Sequence, residues 1–535
     1  MLNRVLGLLF RSERIRRRFI SESVRRTTLT HLQSAVTTVK VGFTVALFAD
    51  ILITQRALKI PILSKAVTGT NSIIAMHNES VSYSNIGTHN DVNSKCTFDG
   101  NITNWDEIIV GSGPGGSVAA YYSIKSGRKT LLIEAGGHQR EDISHHSTEQ
   151  LMESFSYGGQ EIILGPDIIP FAQGKVVGGG SEVNSGLYHR LPFNIKSEWM
   201  KSLLISQEEW ELEETFVEQM LKIERQDHKS IGLYKDSPLL LAAQTQGWHC
   251  EIIPRWRTYS NDKIIHHGMD STFLHQAKAN DLVLLTNHSA KRIVANANTV
   301  TIEVVGINCK HIFESKSATL AAGTIETPKL LLKSRLVKAN QIQMNFHAMS
   351  RLVAEYDHQV NDLQDIDPHQ AWPNDYSAKF GAAVGTHELL AATLTNLGIT
   401  EKLKHSNLGV YYASTVPFGK SGFLRSPSGN TPFFFMNQST KNRIAENTQA
   451  LHRGLVASGA KRIFGSLESP QVSTVHVFGS LPLIDSSVVD KSGYVSGTNN
   501  LVRVCDASLL PSAPVVNPQG PVMHLCGILS RKIYS

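Results

Sequence analysis

Residues 106–134 read DEIIVGSGPGGSVAAYYSIKSGRKTLLIE, and the order of segments within this stretch decides the fold prediction. Residues 106–110 form a short apolar run, which is typical of a buried parallel strand. The glycine cluster at 111–116 separates this run from a helical pattern that stops at Gly127, a residue type favoured at helix C-termini. A second apolar run over 130–133 completes a strand–helix–strand unit, which indicates a doubly wound α/β sheet.

The glycine cluster matches the dinucleotide-binding pattern GxGxxG. Gly111 permits the tight turn, Gly113 lets a pyrophosphate approach the backbone, and Gly116 lets the helix pack closely on the strand. The helix N-terminus then offers free N–H groups and a positive dipole end to phosphates. Glu134 ends the second strand, where its carboxylate can accept hydrogen bonds from ribose hydroxyls and disfavours the 2′-phosphate of NADP. The pattern predicts a bound dinucleotide and leaves both FAD and NAD open.

Four later stretches add to this start. They are GKVVGGGSEVNSGLYHR at 174–190, SATLAAGTIETPKLLLKS at 317–334, QVSTVHVFGSLPLID at 471–485 and NLVRVCDASLLPSAPVVNPQGPVMHLCGIL at 500–529. Together with the strand–helix–strand unit, they resemble the blocks of the glucose–methanol–choline (GMC) oxidoreductase family, in the same order, from about residue 104 to 534. The resemblance implies an α/β fold with a Rossmann-like FAD-binding domain of the GMC type and a substrate domain of antiparallel sheet plus helices.

The resemblance also divides the chain. It implies an FAD-binding domain assembled from residues 104–192, 280–345 and 485–535. The substrate-binding domain would then take residues 193–279 and 346–484. Residues 1–103 remain as a basic and apolar N-terminal extension with a linker.

Cofactor contacts follow from the motif and the resemblance together. The segment at 178–181 lacks bulky side chains, which suits backbone that presses against a flat ring, and the resemblance places Asn184 near the reactive edge of the flavin. We expect a helix to begin near Glu326 with Pro328 in its first turn, where proline is tolerated. Some relatives bind FAD covalently through a His where this chain has Phe171, so we predict non-covalent FAD. The predicted cofactor-binding residues are Gly111, Gly113, Gly115, Gly116, Glu134, Lys175, Gly179, Ser181, Asn184, Ala290, Asp506 and Pro518.

The chain has 22 His residues, and position must choose among them. His476 stands in His-x-x-Gly-Ser, which resembles the family block whose His faces the flavin and is the proposed base; a neutral imidazole suits this role near neutral pH. The resemblance assigns a second site residue to Asn517, which would hydrogen-bond the substrate oxygen and cannot itself act as a base. We interpret His189 as structural.

These assignments predict an FAD-dependent alcohol dehydrogenase or oxidase that acts on a CH–OH group. His476 would remove the hydroxyl proton while a hydride passes to the flavin. The sequence leaves the electron acceptor open among oxygen, a quinone and another redox carrier. It also leaves open a lyase or decarboxylase of the same fold, and a catalytically idle FAD-binding partner. The expected substrate is a small-molecule alcohol of hydrophobic character, because few charges are placed to bind an anionic one.

Charge is concentrated at one end of the chain. Of a net charge of +6, residues 1–30 carry eight Arg against two Glu, so the remainder is close to neutral and a nucleic-acid partner is not expected. The basic segment 1–26 is compatible with a helix on an anionic membrane surface, a targeting segment or a solvated helix. The apolar run at 41–53 is too short for a membrane span. We predict a cytoplasmic protein whose residues 1–60 could contact a membrane peripherally.

The five Cys residues are far apart and include no Cys-x-x-Cys pair. A zinc or iron–sulfur site therefore has no ligand motif in the sequence, and we predict no bound metal. A disulfide framework is not expected either, which agrees with a reducing compartment.

Overall fold

Two β-sheets organise the part of the chain that the computed structural model describes. The described residues are 91–92, 105–140, 147–225, 232–260, 263–307, 309–426, 429–484 and 486–535. The predictions for residues 1–26 and 41–53 lie outside the described residues. So does the rest of the predicted N-terminal extension and linker at 1–103, apart from Asp91–Val92, which forms a short strand.

The strands are, in chain order, β1 (Asp91–Val92), β2 (Trp105–Val110), β3 (Thr130–Ile133), β4 (Glu161–Ile163), β5 (Ile169–Phe171), β6 (His249–Ile252), β7 (Arg257–Ser260), β8 (Lys263–His266), β9 (Val283–Leu285), β10 (Ser289–Ala295), β11 (Val300–Val305), β12 (Lys310–Leu320), β13 (Asn345–Phe346), β14 (Ala348–Glu355), β15 (His369–Trp372), β16 (Lys379–Ala383), β17 (Leu408–Thr415), β18 (Gly419–Ser426), β19 (Gly429–Met436), β20 (Arg462–Phe464), β21 (Val472–Ser473), β22 (Val477–Phe478) and β23 (Val502–Val504). The α-helices are α1 (Pro114–Lys125), α2 (Thr148–Ser154), α3 (Gly180–Val183), α4 (Phe193–Leu203), α5 (Gln207–Met220), α6 (Pro238–Gln246), α7 (His275–Lys278), α8 (Gly323–Lys333), α9 (His387–Asn396), α10 (Gln438–Ala457) and α11 (Gln519–Tyr534).

The first sheet has the strand order β1-β9-β3-β2-β12-β11-β10, and β23 also pairs with β12. Strands β1, β9, β3, β2, β12 and β23 run parallel to one another. The side chains of β2, β3, β9 and β23 are largely buried, as in Ile108, Leu132 and Leu284, because helices cover parallel sheets on both faces. The strand–helix–strand prediction for 106–134 is therefore confirmed, with α1 as the crossover helix.

Strand β12 joins two kinds of pairing. Its first half, residues 310–315, pairs antiparallel with β11, and its second half pairs parallel with β2 on one side and β23 on the other. The antiparallel strands β10 and β11 thus extend the parallel sheet at one edge. This arrangement brings segments more than 380 residues apart in sequence, β2 and β23, to the same central strand.

The second sheet is antiparallel, with the order β20-β14-β17-β16-β15-β6 and β21 also paired to β14. Helices α6 and α10 pack together and cover one face, burying Leu239 and Leu451 against Phe380 and Tyr411. The other face looks toward the cavity described below. The fold-class prediction of a Rossmann-like sheet plus an antiparallel sheet with helices is confirmed, and we propose the two sheets as the cores of the two predicted domains.

One helix differs from its prediction. Helix α8 begins at Gly323, three residues before the expected start near Glu326, so Pro328 lies inside the helix rather than in its first turn. A proline there removes one main-chain hydrogen bond. The earlier start follows from Asp506, whose carboxylate accepts hydrogen bonds from the Gly323 N–H and the Thr327 hydroxyl and so holds the helix N-terminus. That stabilising contact comes from a distant segment and has no local signal.

Membrane insertion of a helix is not indicated within the described ranges. Among the helices placed there, none combines the length and the apolar character that a bilayer span requires.

Candidate active site

A cavity of about 1720 Å³ lies between the carboxyl ends of the parallel strands and the second sheet. Open α/β sheets bind ligands at this edge, where neighbouring crossovers diverge. The cavity is larger than the roughly 300–1,000 Å³ typical of small-molecule sites, so it can hold a dinucleotide and a second ligand. Its lining joins the glycine loop after β2 to residues of the second sheet such as Met349 and Tyr412.

The glycine loop divides into packing residues and one residue that faces open space. A Cβ on Gly111 would lie 2.3 Å from the Ala321 carbonyl oxygen, and Gly111 has φ +99°, which a side chain rarely adopts. A Cβ on Gly115 would lie 2.0 Å from the Cys505 carbonyl oxygen, and one on Gly116 would lie 1.9 Å from that of Gly111. Gly113 has no atom within 4 Å of such a Cβ. The space beside Gly113 is therefore available to a ligand at the N-terminus of α1.

Glu134 lines the cavity at the end of β3 and is 6% exposed. Its Oε2 accepts from the Ser112 N–H (2.9 Å) and hydroxyl (2.7 Å), and its Oε1 accepts from the Gly136 N–H (2.8 Å). Burial raises the pKa of this carboxyl, and these donors oppose the rise. Each carboxylate oxygen can accept about two hydrogen bonds, so Oε1 keeps one position for a ligand hydroxyl.

Most of the other predicted cofactor residues also line the cavity, namely Lys175, Gly179, Asn184, Ala290, Asp506 and Pro518. The Asn184 side chain donates to Gln519 (2.7 Å) and accepts from the Gly186 N–H (2.9 Å), which ties the second glycine segment to the start of α11. Asp506 is held by three donors, and burial raises the pKa of its carboxyl. Its role in the structure is to join α8 to the segment after β23.

Two predicted residues do not line the cavity. The Ser181 hydroxyl donates to the Gly178 carbonyl (2.8 Å) and accepts from the Met269 N–H (3.0 Å), so this fully buried side chain closes its own loop. Gly116 packs α1 against the strand, as its place in the motif predicts, and does not reach the cavity. The assignment of Ser181 to the cofactor site stays a prediction that concerns the backbone of its segment, since the loop around it turns the side chain inward.

His476 and Asn517 line the same cavity, on the side of the second sheet. The ring Nδ1 atoms of His476 and His347 are 3.2 Å apart. The main-chain N–H of His347 also donates a hydrogen bond to the main-chain carbonyl of His476 (3.0 Å). Burial lowers the pKa of both imidazoles well below the usual value, and the nearby Lys379 lowers both further. Both rings are therefore neutral near pH 7. The Nδ1–Nδ1 contact leaves Nε2 of His476 for a ligand in the cavity.

Lys379 lies beside this pair and was not predicted. It is 2% exposed, its Nζ donates to Oδ1 of Asn517, and it lies 5.7 Å from the centre of the Tyr412 ring. Burial lowers the pKa of Lys379 from 10.5 to about 7. Because the lysine occupies Oδ1, the amide Nδ2 of Asn517 is the group left to donate to a ligand.

His347, Arg351 and Lys379 were missed because no motif marks them. A weak signal exists: Arg351 interrupts the apolar stretch 346–356, and Lys379 interrupts 378–384. Charged residues within buried strands are rare unless they have a partner or a function. The sequence does not show which face of the strand each side chain occupies, so the signal alone could not join them to His476.

The fold also brings together three potential metal ligands that are separated in sequence. His288, Cys309 and His311 place their ligand atoms within 4.8 Å of one another, near the β10–β12 edge of the first sheet. The Cys309 Sγ and the His288 Nε2 lie 3.4 Å apart, and the His288 Nδ1 lies 2.6 Å from the Thr286 carbonyl oxygen. A hydrogen bond between the Cys309 thiol and the His288 imidazole accounts for the 3.4 Å distance. The prediction of no bound metal was drawn from spacing along the chain, which does not report ligands that the fold brings together, and it stays a prediction.

Comparison with known proteins agrees with this geometry. Family models described as GMC oxidoreductase match residues 105–350 and residues 442–526, which together make up more than half of the chain. The chain belongs to the GMC oxidoreductase family. The resemblance noted from the sequence is thereby confirmed, and the family assignment makes this chain an oxidoreductase by class.

Relatives of this GMC protein are distant. It is 24% identical over 478 residues to the uncharacterized GMC-type oxidoreductase y4nJ of Sinorhizobium fredii, covering 78% of this chain and 92% of that protein. It is 26% identical over 517 residues to the long-chain-alcohol oxidase FAO1 of Arabidopsis thaliana, covering 80% of this chain and 66% of the relative. The match to a second Arabidopsis long-chain-alcohol oxidase, FAO4B, is 28% identical and covers 44% of this chain and 35% of that one.

Among solved structures, the pyridoxine 4-oxidase from Mesorbium loti matches 80% of this GMC protein and 99% of its own chain, with a TM-score of 0.63 and 15% identity. At that identity the likeness shows the fold alone.

Proposed function

We propose that this protein is an FAD-dependent oxidoreductase that oxidises the CH–OH group of an alcohol. One observation carries the proposal: a single cavity joins the dinucleotide loop at 111–116 to the His476–Asn517 pair. A nucleotide held at the loop and a substrate held at the pair would therefore share one enclosed space.

The residues present fit FAD. The space beside Gly113 and the N-terminus of α1 would take the pyrophosphate, and the free position on Glu134 would take a ribose hydroxyl. Segment 288–291 would take the adenine, and the flavin would lie along Gly179 and the start of α11. Phe171 is buried and has no nucleophilic atom, which supports non-covalent binding.

Bound FAD would supply the acceptor for a hydride from the alcohol carbon. The neutral His476 would take the hydroxyl proton at Nε2, provided that its Nδ1–H donates to His347. The Asn517 amide, oriented by Lys379, would donate to the substrate oxygen and position it beside His476. The alcohol thereby loses one proton and one hydride and becomes a carbonyl compound.

The names of the Arabidopsis relatives, long-chain-alcohol oxidases, support an alcohol substrate and make oxygen the first acceptor to test. A quinone or another redox carrier remains in the proposal as an alternative acceptor. The cytoplasmic location and the peripheral membrane contact through residues 1–60 stay predictions.

The decisive variant is His476→Gln, which keeps a polar side chain of similar reach but removes the base. We expect the rate of flavin reduction by the best alcohol to fall by about 10²–10⁴-fold, the usual contribution of a general base. The measurement is anaerobic bleaching of the flavin absorption in the dark, with oxidised FAD still bound in the variant. His358, which is exposed, offers the matched control His358→Gln.

Two outcomes would contradict the proposal. Near-normal reduction in His476→Gln would remove His476 from the reaction. A wild-type protein that converts substrate while its flavin stays oxidised in the dark would instead support the lyase or decarboxylase alternative.

A further inference from the structure

Two cationic side chains of the second sheet lie at the substrate side of the cavity, and among the described residues neither has an acidic partner. Arg351 lines the cavity itself, whereas Lys379 lies behind the lining residues Asn517 and Tyr412. In the part of the chain that the structure describes, the one side-chain hydrogen bond of Arg351 runs from Nη1 to the Ser473 hydroxyl. Lys379 contacts only Oδ1 of Asn517 and the Tyr412 ring. Among the described residues, no carboxylate forms an ion pair with either side chain, nor with His476.

The carboxylates that do line the cavity are already used. Glu134 is held by the Ser112 and Gly136 donors, and Glu326 pairs with Lys329 at 2.6 Å. Asp506 accepts from three donors around the start of α8. None of these groups is available to neutralise Arg351, and an arginine in a protein stays charged.

The strand register places the two cations in order along the second sheet. Met349, Ser414 and Lys379 form one cross-strand row, and Arg351, Tyr412 and Gly381 form the next. Successive rows on one face of a sheet are about 7 Å apart. Lys379 contacts Asn517, and Arg351 lies in the next row, so Arg351 is one row farther from Asn517 than Lys379 is. An apolar lining that includes Met349, Val384, Leu389 and Val410 accompanies these rows.

A charge removed from water and left without a counter-ion is strongly unfavourable, and the planar guanidinium matches a carboxylate in a bidentate geometry. We propose that Arg351 binds the anionic group of the substrate, and that the preferred substrates are alcohols with an apolar body and a carboxylate: hydroxy acids. The inference rests on the proposed alcohol oxidation.

The test uses the FAD-loaded protein and three alcohols of equal length: 6-hydroxyhexanoate, hexan-1-ol and 6-aminohexan-1-ol. Stopped-flow flavin reduction in the dark gives kcat/KM for each. We expect kcat/KM to decrease from the anionic to the neutral to the cationic alcohol. The value for the anionic alcohol should exceed that for the neutral one by about 10- to 100-fold, the range for a charge-assisted hydrogen-bonded contact. In Arg351→Met this preference should fall by the same factor, and Arg351→Lys should retain part of it.

Arg425 supplies the matched control, because it lines the cavity but is solvent-exposed. Its charge is screened by water, so Arg425→Met should change the preference by no more than about threefold. An equal loss in both variants would overturn the specific role of Arg351 in favour of a general positive potential. Equal loss of anionic and neutral turnover in Arg351→Met would overturn it too, since Arg351 would then act on the cofactor or the fold.

A binding measurement separates this inference from the proposed function. Hexanoate, which has no hydroxyl, is titrated into the oxidised holoprotein by calorimetry, and its Kd should rise about 10- to 100-fold in Arg351→Met. Arg351-dependent hexanoate binding without oxidation of any alcohol would support the anion site and reject the alcohol oxidation. Oxidation of neutral alcohols with no Arg351-dependent hexanoate binding would support the alcohol oxidation and reject the anion site.

Discussion

Replacing Lys379 by Met tests the electrostatics of the active site through stability rather than turnover. Lys379 is 2% exposed, and burial lowers its pKa from 10.5 to about 7. At about 1.4 kcal/mol per pKa unit, a protonated Lys379 destabilises the folded protein by about 5 kcal/mol below pH 7. The hydrogen bond to Asn517 returns about 1 kcal/mol of this. Lys379→Met should therefore be about 4 kcal/mol more stable than wild type at pH 6.

The sign of the pH dependence follows from the depressed pKa. Between pH 7 and pH 10.5 the folded state holds fewer protons at this site than the unfolded state, so wild-type stability rises with pH in this window. The advantage of the Met variant is complete below pH 7 and is lost as the pH approaches 10.5. By pH 10 less than about 1 kcal/mol of the penalty remains, and the lost hydrogen bond to Asn517 offsets it.

The assay is calorimetric unfolding of the FAD-saturated protein at pH 6, 8 and 10, at one heating rate. With an unfolding entropy of about 2.1 cal/mol/K per residue, a 535-residue chain shifts its Tm by about 1 °C per kcal/mol, so the variant should gain about 4 °C at pH 6 and almost nothing at pH 10. Lys420→Met, at an exposed position on β18, is the control and should show no such trend. A Tm lowered at pH 6 would refute the reasoning, because Lys379 would then have an anionic partner in the holoprotein.

The remaining predictions concern the loop and a buried carboxyl. Gly113→Val should fold normally but lose FAD, because its side chain would enter only the space left for a ligand; Gly116→Ala should instead lower the stability by about 1–3 kcal/mol through a clash with backbone. Visible absorbance per protein and Tm separate the two effects, and equal FAD content in Gly113→Val and wild type would count against the cofactor site. Burial raises the pKa of Glu182 to about 7, so the ionised carboxylate destabilises the fold increasingly as the pH rises from 4.5 to 7. Glu182→Gln, which keeps an acceptor for the Asp270 N–H, should therefore raise Tm by about 3 °C at pH 8 and leave it unchanged at pH 4, and equal shifts at both pH values would contradict this.

Parts of the site that depend on local chemistry were predictable from the sequence. The positive φ of Gly111 and the close approach of Gly116 to the Gly111 carbonyl follow from a tight turn between a strand and a helix, which is encoded within ten residues. The close approach of Gly115 to the Cys505 carbonyl is instead a contact between distant segments. Glu134 follows because it ends the next strand of the same unit. His476 and Asn517 were found through resemblance to family blocks, and the fold places both in one cavity.

Contacts between segments far apart in the chain had no signal in the sequence. Ser181 belongs to the predicted glycine segment, yet its hydroxyl bonds to Met269, a residue 88 positions away, and turns from the cavity. The start of α8 was placed three residues late because its stabilising partner is Asp506, in a segment that joins it only through the parallel pairing of β12 and β23. Neither contact can be read from the neighbours of these residues in sequence.

The sequence by itself determined the dinucleotide loop, the class of fold and the family, because each rests on short-range patterns: a strand, a turn that only glycine fits, and a helix. Only the tertiary structure decided the chemistry of the substrate side. Arg351 and Lys379 lie on strands whose antiparallel register sets their face of the sheet, and His347 lies between β13 and β14, where it contacts His476. Register depends on pairing between residues far apart in the chain, and a shift of one position would turn every side chain to the other face. The charge balance of the cavity, and with it the proposed preference for hydroxy acids, is therefore a property of the folded chain.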